Sequence, residues 1–563
     1  MSTRLEPGCV VAVWALLAVV SLLAFPVSPV PRQWGSWDSV HSGRRFAELG
    51  FLANKLQPVW APVDHRAAYL AYTHYPPLPQ WGAGVAEMLS SSPQGRIVAV
   101  HHMIRLLGIT GLALIYVLLR HLACAPAAAA LAVALTAASS RMWVEITTQA
   151  SWYGWCVPLL LGSTACFIYA LRSEAKHWKI GLATGVVLSL GTAMCAYQAW
   201  SWYPAFFGVL LLSAGARHSE QRTLRKRLLV GLLLSGSAVG LAIAIRVAIN
   251  WWYFGSLETT VGDFMEAYQT RSTGSAQGVQ IEENRANYYV QAFEGEKSRI
   301  DLLWQFCRHF APGMLDACLP GGSSGRWIAL TTFALGGAGW LLGRRAPGRE
   351  TRRAPAASSP GPLAIWLALL AAPLLFILLC PAIAATQWLG ESFWMFPAWI
   401  VLLGFSLHFA LGLVSDLLAR SIPSRAVVGT LTSAAVILAI AVVPGRMARL
   451  EQPEETQREI SLAEASALVR AFEDREGIVH ADLRDHNLLM YAAPLDTRVV
   501  FRPLRILATQ YVRGTPLPDS LTLLLRMDRR TPRIPEFRQI AVQRELLDLP
   551  SGWRVVELAR SRP

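Results

Sequence analysis

The chain has 563 residues, of which 53% are hydrophobic and only 16% are charged, with a formal net charge of +14. Soluble proteins usually carry about 25% charged residues, so this composition excludes a wholly soluble protein and favours a multi-pass membrane protein with some soluble mass. Much of the excess positive charge lies between apolar segments. The charge therefore predicts membrane topology rather than binding to nucleic acid.

The first apolar run is CVVAVWALLAVVSLLAF (Cys9–Phe25). The residues after it, PVSPVPRQW, contain no convincing small-x-small cleavage site, so the run predicts an uncleaved helix rather than a signal peptide. About twenty apolar residues cross a bilayer as a helix. On that basis the sequence predicts about eleven spans, near residues 9–26, 101–120, 125–140, 155–172, 179–196, 199–215, 228–249, 326–343, 362–383, 393–415 and 426–444.

The basic residues predict the orientation of these spans. With the N-terminus inside, every inside loop is basic, as the positive-inside rule requires. These loops carry Arg120; Arg172, Lys176 and Lys179; ARHSEQRTLRKR (Ala216–Arg227); RRAPGRETRRAP (Arg344–Pro355); and LARSIPSR (Leu418–Arg425). We therefore predict a cytoplasmic N-terminus and an extracytoplasmic C-terminus.

The outer parts are then two long loops, 27–100 and 250–325, the short loop 140–154, and a soluble C-terminal region. The predicted fold class is an all-α polytopic membrane protein with a transmembrane domain at 1–445 and a small extracytoplasmic α/β region at 446–563. In that region we predict a helix over ISLAEASALVRAFEDRE, strands at GIVHADL and near TRVVF, and a final strand pair around RQIAVQRELLDL and WRVVELA.

Two segments of the first outer loop have apolar residues at helical spacing. They are FAELGFLANKL (Phe46–Leu56) and PLPQWGAGVAEML (Pro77–Leu89). Both are interpreted as amphipathic helices that lie on the outer leaflet.

The stretch WDSVHSGRRF (Trp37–Phe46) places a charged cluster just beyond the first span. Asp38, next to an aromatic residue at the mouth of a helical bundle, is a candidate general base that takes a proton from an acceptor hydroxyl. The alternative is a solvated carboxylate that caps a helix starting near Ser39.

A second polar cluster lies in YTHYPPLPQW (Tyr72–Trp81), where Pro76 and Pro77 stiffen the chain before a helix. His74 and Tyr75 would thereby be held in one direction. The alternative interpretation is a rigid turn at the membrane interface with an aromatic anchor.

The order of these features resembles the polyprenyl-phosphate-sugar glycosyltransferases of the GT-C fold, among them the protein O-mannosyltransferases and the lipid A aminoarabinose transferases. The resemblance rests on residues 9–215: the first span, the outer loop with Asp38 and His41, the HYPPL stretch, RLLGITGLALIYVLLRHL and APAAAALAVALTAASS. It implies that Asp38 is the base. The family often has Asp-Glu in tandem, whereas here Asp38 is followed by Ser39, and the short second outer loop carries Glu145 but no Asp.

A lipid-phosphate leaving group needs positive charge beside it, and arginine pairs bidentately with phosphate. Candidates on the outer face are Arg44, Arg45, Arg141 and Arg271. For each, the alternative is a loop arginine that contacts lipid headgroups.

Three further patterns concern a metal site, a disulfide and a kinase-like loop. His41, Asp64, His65 and His74 share the first outer loop, so a divalent metal stays open, but their spacing matches no compact metal motif. Cys307 and Cys318 lie in the second long loop and are a candidate disulfide. HADLRDHN (His480–Asn487) matches the catalytic loop of kinase-like phosphotransferases. Those enzymes also need a glycine-rich loop and a lysine on a preceding strand, and neither precedes this stretch in the soluble region, so we interpret it as a chance match.

Together these patterns predict an integral membrane glycosyltransferase. It would move a sugar from a polyprenyl-phosphate donor to an extracytoplasmic glycan, lipid or protein acceptor, with inversion at the anomeric carbon. Asp38 is the predicted base, with His41, His74, Tyr75 and Glu145 on the acceptor side, the arginines on the phosphate, and membrane lipids as surroundings. The alternatives are an envelope lipid transporter or flippase, which would place ionisable residues deep in its spans, and a non-catalytic scaffold with the same fold.

Overall fold

The computed structural model describes the following residues: 34–62, 69–71, 76–137, 152–172, 176–214, 219–273, 298, 300–308, 323–345, 360–381, 393–418, 460–495, 498–504, 519–526, 537–540, 552–560 and scattered helical positions between 8 and 19. These parts are mostly helical, and a small sheet lies near the C-terminus. The predicted fold class, a helical multi-pass protein with a small α/β region, is thus confirmed, whereas the count of eleven spans, the domain bounds and the side of the membrane stay predictions. The predicted span 426–444 lies outside the described residues.

The helices of the membrane domain follow the apolar runs closely. Five of those in the described ranges are long and apolar enough to cross a membrane: Pro93–His121, Tyr153–Leu171, Arg222–Phe254, Pro362–Leu379 and Phe396–Val414. In chain order the helices of this domain are α1 (Trp34–Leu49), α2 (Leu78–Glu87), α3 (Pro93–His121), α4 (Pro126–Ala137), α5 (Trp152–Leu171), α6 (Trp178–Ala193), α7 (Gln198–Ser213), α8 (Ser219–Phe254), α9 (Leu257–Thr273), α10 (Ser323–Arg345), α11 (Pro362–Leu379) and α12 (Phe396–Leu418).

Local sequence explains where several helices begin. In α3, Pro93 stands in the first turn, where its missing N–H costs nothing, and Ser92 caps the helix by accepting from the Gly95 N–H at 3.1 Å. Helix α11 likewise begins at Pro362. The residues predicted as two spans within 179–215 form two helices, because α6 and α7 are separated by a turn near Met194.

The membrane core combines apolar packing with a few internal hydrogen bonds. The Tyr203 hydroxyl donates to Thr192 Oγ1 at 2.9 Å and lies 2.7 Å from Ser163 Oγ, so three helices share one polar contact inside an aromatic cluster. Small residues let other helices approach closely. A Cβ added at Gly336 would lie 2.7 Å from the Cα of Ser406, which makes glycine the residue that fits there.

The helix ends lie on two separate faces. On one, which we call the arginine face, Arg172 donates to the His121 carbonyl at 3.4 Å and Arg227 donates to the Ala170 carbonyl at 3.1 Å. On the other, which we call the loop-one face, the described residues of 34–92 pack over the opposite ends of the spans. The Leu78 N–H, for example, bonds the Met194 carbonyl at 3.0 Å. Among the described residues, Arg120, Arg172 and Arg227, which were predicted for one side of the membrane, therefore share one face.

The first outer loop differs from its prediction at one helix and agrees at the other. Helix α1 runs from Trp34 to Leu49, so it begins and ends earlier than the predicted helix at 46–56. Gly50, with φ +91°, ends it, and positive φ angles at Lys55 and Leu56 keep the following residues in turns. Asp38 is consequently inside a helix and is not the cap of one starting near Ser39. The second predicted helix, at 77–89, is present as α2, whereas its place on the outer leaflet stays a prediction.

The soluble region forms a five-stranded sheet on the loop-one face. Its strands are β3 (Gly477–Ala481), β4 (Val499–Pro503), β5 (Ser520–Arg526), β6 (Phe537–Ile540) and β7 (Trp553–Arg560), in the order β4-β3-β5-β7-β6, after the antiparallel pair β1 (Val59–Pro62) and β2 (Tyr69–Ala71) of the first outer loop. Strand β3 is parallel to β4 and β5, whereas β7 is antiparallel to β5 and β6.

Two helices of the soluble region, α13 (Leu462–Arg470) and α14 (Leu483–Ala492), pack with this sheet. The predicted helix at 460–476 is shorter than expected, since turns follow α13. The strands predicted at GIVHADL, TRVVF and WRVVELA are confirmed, and β5 was missed. Strand β6 covers the start of RQIAVQRELLDL, whose residues 541–549 lie outside the described residues. Ser461 caps α13 by accepting from the Glu464 N–H.

Candidate functional site

The candidate site is built on the close packing of α1 against α2. A Cβ added at Gly43 would lie 3.0 Å from Ala83 Cβ and 3.0 Å from Glu87 Oε1, and one added at Gly84 would lie 2.8 Å from Phe46 Cβ. The two helices thus touch through glycines, and large side chains at these positions would separate them. Trp155, at the start of α5, packs against Gly82 and fixes the pair on the membrane domain.

Helix α1 carries four of the residues predicted for the site. Asp38 lies in its first half, and the structure describes the backbone there but not the side chain. His41, one turn later, is 4% exposed, and its ring centroid lies 5.9 Å from that of Tyr491 in α14. The helix that carries the predicted base is therefore covered by the soluble region.

Arg44 joins α1 to the end of α14. Its Nη1 donates to the carbonyls of Tyr491 and Ala493, the latter at 2.8 Å, and its Nε donates to Glu48 at 2.8 Å. The guanidinium carbon also lies 5.4 Å from the Tyr491 ring centroid. These carbonyls end a helix, where a cation is stabilised by the helix dipole. Arg44 therefore binds α14 at the boundary between the membrane domain and the soluble region.

The segment that follows α1 contacts the end of α8. Lys55 Nζ donates to the Trp252 carbonyl at 3.2 Å, and Arg246 Nη1 donates to Gln57 Oε1 at 3.1 Å. Arg45 lies within electrostatic range of Tyr253. Three cationic side chains, on Arg45, Lys55 and Arg246, therefore gather where α8 meets the first outer loop.

Arg246 is buried although it lies towards the end of α8. An arginine near a helix end can extend to the interface, where water and headgroups solvate it. In the structure the residue is 0% exposed, and its guanidinium is held by protein atoms. The sequence does signal this arginine, because it is the one basic residue in a long apolar stretch of α8.

Glu87 was not singled out from the sequence. It lies near the end of α2, is 0% exposed, and its Oε2 lies 3.3 Å from the Tyr491 hydroxyl. Burial raises the pKa of this carboxyl well above its ordinary value near 4.5, against the hydrogen bond from Tyr491 and the positive charges of Arg96 and Arg44, which lower it. The signal in the sequence was the glycines at 82 and 84, which mark a tightly packed helix around this carboxylate.

The remaining predicted site residues are only partly visible. His74, Tyr75, Arg141 and Glu145 lie outside the described residues. Arg271 lies in the last turn of α9, and the structure does not describe its side chain. Cys307 is an exposed free thiol, and Cys318 lies outside the described residues. Within the described ranges no three His, Cys, Asp or Glu side chains are grouped to hold a metal ion.

The HADLRDHN stretch runs from the end of β3 into α14. His480 is 4% exposed in the central strand, and burial and the nearby Arg502 lower its pKa to about 4, despite a bond with the Thr522 backbone. Asp485 and Asn487 are buried too. This stretch positions α14, the helix whose far end contacts α1.

Comparisons with solved structures identify the fold. ArnT from Cupriavidus metallidurans bound to undecaprenyl phosphate matches with a TM-score of 0.54 and 13% identity, over 99% of this chain and 98% of that one. The Archaeoglobus fulgidus oligosaccharyltransferase in complex with zinc and sulfate matches with a TM-score of 0.52 and 12% identity, over 92% of this chain and 67% of that one. The chain therefore has the GT-C fold of membrane proteins, as the resemblance in its sequence implied.

A third structure, AglB from the same archaeon with an inhibitory peptide and a dolichol-phosphate, matches with a TM-score of 0.51 and 11% identity, over 91% of this chain and 69% of that one. No family model matches the sequence, and no curated protein matches it. At these identities the likeness establishes the fold, and function has to be argued from the site.

Proposed function

We propose that the protein is an integral membrane glycosyltransferase that transfers a sugar from a polyprenyl-phosphate donor to an acceptor outside the cytoplasm. One observation carries the proposal. Helix α1, with Asp38 and His41, is covered by the soluble region where His41 meets Tyr491, and the segment that follows α1 contacts the cationic end of α8 through Lys55 and Gln57. The GT-C neighbours bound to undecaprenyl phosphate and dolichol-phosphate support a lipid phosphate as the donor.

The reaction proposed is a single displacement. Asp38 takes the proton of an acceptor hydroxyl while the acceptor oxygen forms a bond to the anomeric carbon. The bond between that carbon and the phosphate oxygen breaks, and the electron pair leaves with the polyprenyl phosphate. Attack opposite to the leaving group inverts the anomeric configuration.

The cationic end of α8 suits the leaving group. A lipid phosphate gains negative charge as it departs, and cations fixed in a site of low dielectric stabilise that charge. Arg45, Lys55 and Arg246 gather there, and Arg141 and Arg271 are proposed to join them. Because Arg44 Nη1 and Nε are engaged by α14 and Glu48, we assign Arg44 to the domain boundary rather than to the phosphate.

The acceptor side is assigned to His41, His74, Tyr75 and Glu145. We place the loop-one face outside the membrane, since the arginine face collects Arg120, Arg172 and Arg227, the residues expected in the cytoplasm under the positive-inside rule. The N-terminus would then be cytoplasmic and the soluble region extracytoplasmic.

The experiment that tests the proposal compares the lipids and envelope glycans of cells with and without the gene, by lipid extraction and mass spectrometry. We expect loss of one glycan modification and accumulation of a glycosylated polyprenyl phosphate. Unchanged glycans and unchanged lipid carriers would contradict the proposal.

An envelope lipid transporter is a second candidate, and the buried Arg246 in α8 is the observation that favours it, because transporters place ionisable residues within their spans. The same experiment separates the two functions. A transporter moves a lipid without changing its mass, whereas a transferase removes a sugar from the carrier and adds it to the acceptor.

A further inference from the structure

Three residues from separate parts of the chain meet where the soluble region covers α1, and we call Arg44, Glu87 and Tyr491 the docking cluster. Tyr491 comes from α14 and is 1% exposed. Its hydroxyl lies 3.3 Å from Glu87 Oε2 and 3.4 Å from the Pro93 carbonyl at the start of α3. One phenol therefore touches a helix of the first outer loop and the start of a membrane span.

The hydrogen bonds of this phenol depend on the charge of Glu87. A phenol has one proton to donate, and two acceptors lie within reach. If Glu87 carries a proton, its carboxylic acid donates to the Tyr491 oxygen, and the Tyr491 hydroxyl donates to the Pro93 carbonyl. The two hydrogen bonds then follow one another, from Glu87 to Tyr491 and from Tyr491 to the Pro93 carbonyl. If Glu87 is ionised, the phenol donates to the carboxylate, and a negative charge stays buried.

The packing around Glu87 leaves little room for water to solvate such a charge. Gly43 lies so close that an added Cβ would be 3.0 Å from Glu87 Oε1, and among the described residues this oxygen has no hydrogen-bond partner. The charged groups that face Glu87 are Arg44 and Glu48 from α1 and Arg96 from α3. Glu48 pairs with both arginines, at 2.8 Å with Arg44 and at 2.6 Å with Arg96, so one of their two positive charges is compensated.

We propose that Glu87, as an uncharged acid, and Tyr491 are positioning residues that dock the soluble region onto α1 and so fix the helix that carries Asp38. Arg44 completes the contact by holding the last carbonyls of α14. The consequence for the site rests on the proposed function, whereas the docking itself does not.

The sign of the pH dependence follows from burial. Burial raises the pKa of Glu87 above its ordinary value near 4.5, so the docked state binds a proton that the undocked state releases. Docking is then strongest at or below that ordinary value and weakens as the pH rises towards the raised pKa. One linked proton weakens it by about tenfold for each pH unit in this interval.

The test uses full-length protein in lipid nanodiscs and hydrogen exchange of the α14 amides between about pH 5 and pH 9. Glu87→Gln keeps an uncharged donor at every pH, and Glu473→Gln, at an exposed position of the soluble region, is the matched control. The protection of wild-type relative to Glu87→Gln is expected to fall by up to about tenfold per pH unit, whereas the Glu473→Gln ratio stays flat. A flat ratio for Glu87→Gln as well would overturn the proposal.

A second variant tests the hydroxyl of Tyr491 independently of Glu87→Gln. Tyr491→Phe removes only the hydroxyl, and we expect it to lower the protection of α14 at every pH. Unchanged protection in Tyr491→Phe would also overturn the proposal.

Measurements of kcat and KM test whether docking positions the helix that carries Asp38. In the wild type kcat is expected to fall as the pH rises, in parallel with protection, and in Glu87→Gln this loss should be absent, while KM changes little. If protection behaves as expected but no sugar is transferred, the docking inference stands and the proposed function fails. If protection tracks pH but kcat does not, the positioning role is contradicted.

Discussion

Arg246 Nη1 donates to Gln57 Oε1 across 3.1 Å, and both residues are 0% exposed. A cation in α8, a helix otherwise apolar enough to cross the membrane, is thereby held by the first outer loop. A buried charge is stable only when protein groups replace the water it has lost. The bond therefore couples the fold of the first outer loop to the end of a membrane span.

Replacing Gln57 tests this coupling. Gln57→Leu keeps the size of the side chain but removes the acceptor, and we expect a loss of about 1.5–3 kcal/mol, the usual contribution of a hydrogen bond to a charged group. Gln57→Glu supplies a carboxylate acceptor and should retain stability. Thermal unfolding in detergent measures both variants, and equal destabilisation by Leu and Glu would contradict the role of this bond.

The sequence predicts the helices of the membrane domain but not the contacts between distant parts of the chain, for a physical reason. Spans are local features, since about twenty apolar residues have to be consecutive, and α6 and α7 were found on that basis. The contact between Glu87 and Tyr491 joins residues 404 positions apart, and no local pattern encodes it. The bounds of α1 were missed because apolar spacing continues past Gly50, whose positive φ ends the helix.

The glycine contact between α1 and α2 gives a second prediction. Gly43→Ala would place a methyl group 3.0 Å from Ala83 and Glu87, and overpacking of this kind costs about 1–3 kcal/mol. Gly208→Ala in α7 is the matched control, because no atom lies within 4 Å of its added Cβ. There alanine should stabilise the helix by about 0.5–1 kcal/mol. Opposite signs in the unfolding temperature are expected, and a stabilising Gly43→Ala would disprove the tight contact.

Asp38→Asn tests the proposed base. Removing a general base typically costs about 10²–10⁴-fold in rate, so kcat should fall by at least about 100-fold while the unfolding temperature is unchanged. Asp474→Asn, the same change at an exposed turn of the soluble region, is the control and should keep full activity. Transfer at the wild-type rate by Asp38→Asn would remove Asp38 as the base but would leave the fold and the docking cluster untouched.

His480 gives the soluble region a pH dependence opposite in sign to that of Glu87. Burial lowers the pKa of His480 from 6.5 to about 4, so the folded region holds this imidazole neutral while the unfolded chain binds a proton. Stability is then complete above about pH 6.5 and is lost as the pH falls towards about 4, by up to about 3 kcal/mol. His480→Gln removes this titration, and His177→Gln, at an exposed position, is the control. Unfolding temperatures measured across this interval should show a weaker acid dependence in His480→Gln alone. If His480→Gln loses stability in acid as steeply as the wild type, groups other than His480 cause the acid dependence.

The two titrations together predict a pH optimum for α14. Docking weakens above the ordinary pKa of Glu87, and the soluble region weakens below the ordinary pKa of His480. Helix α14 should therefore be most strongly protected at mildly acidic pH.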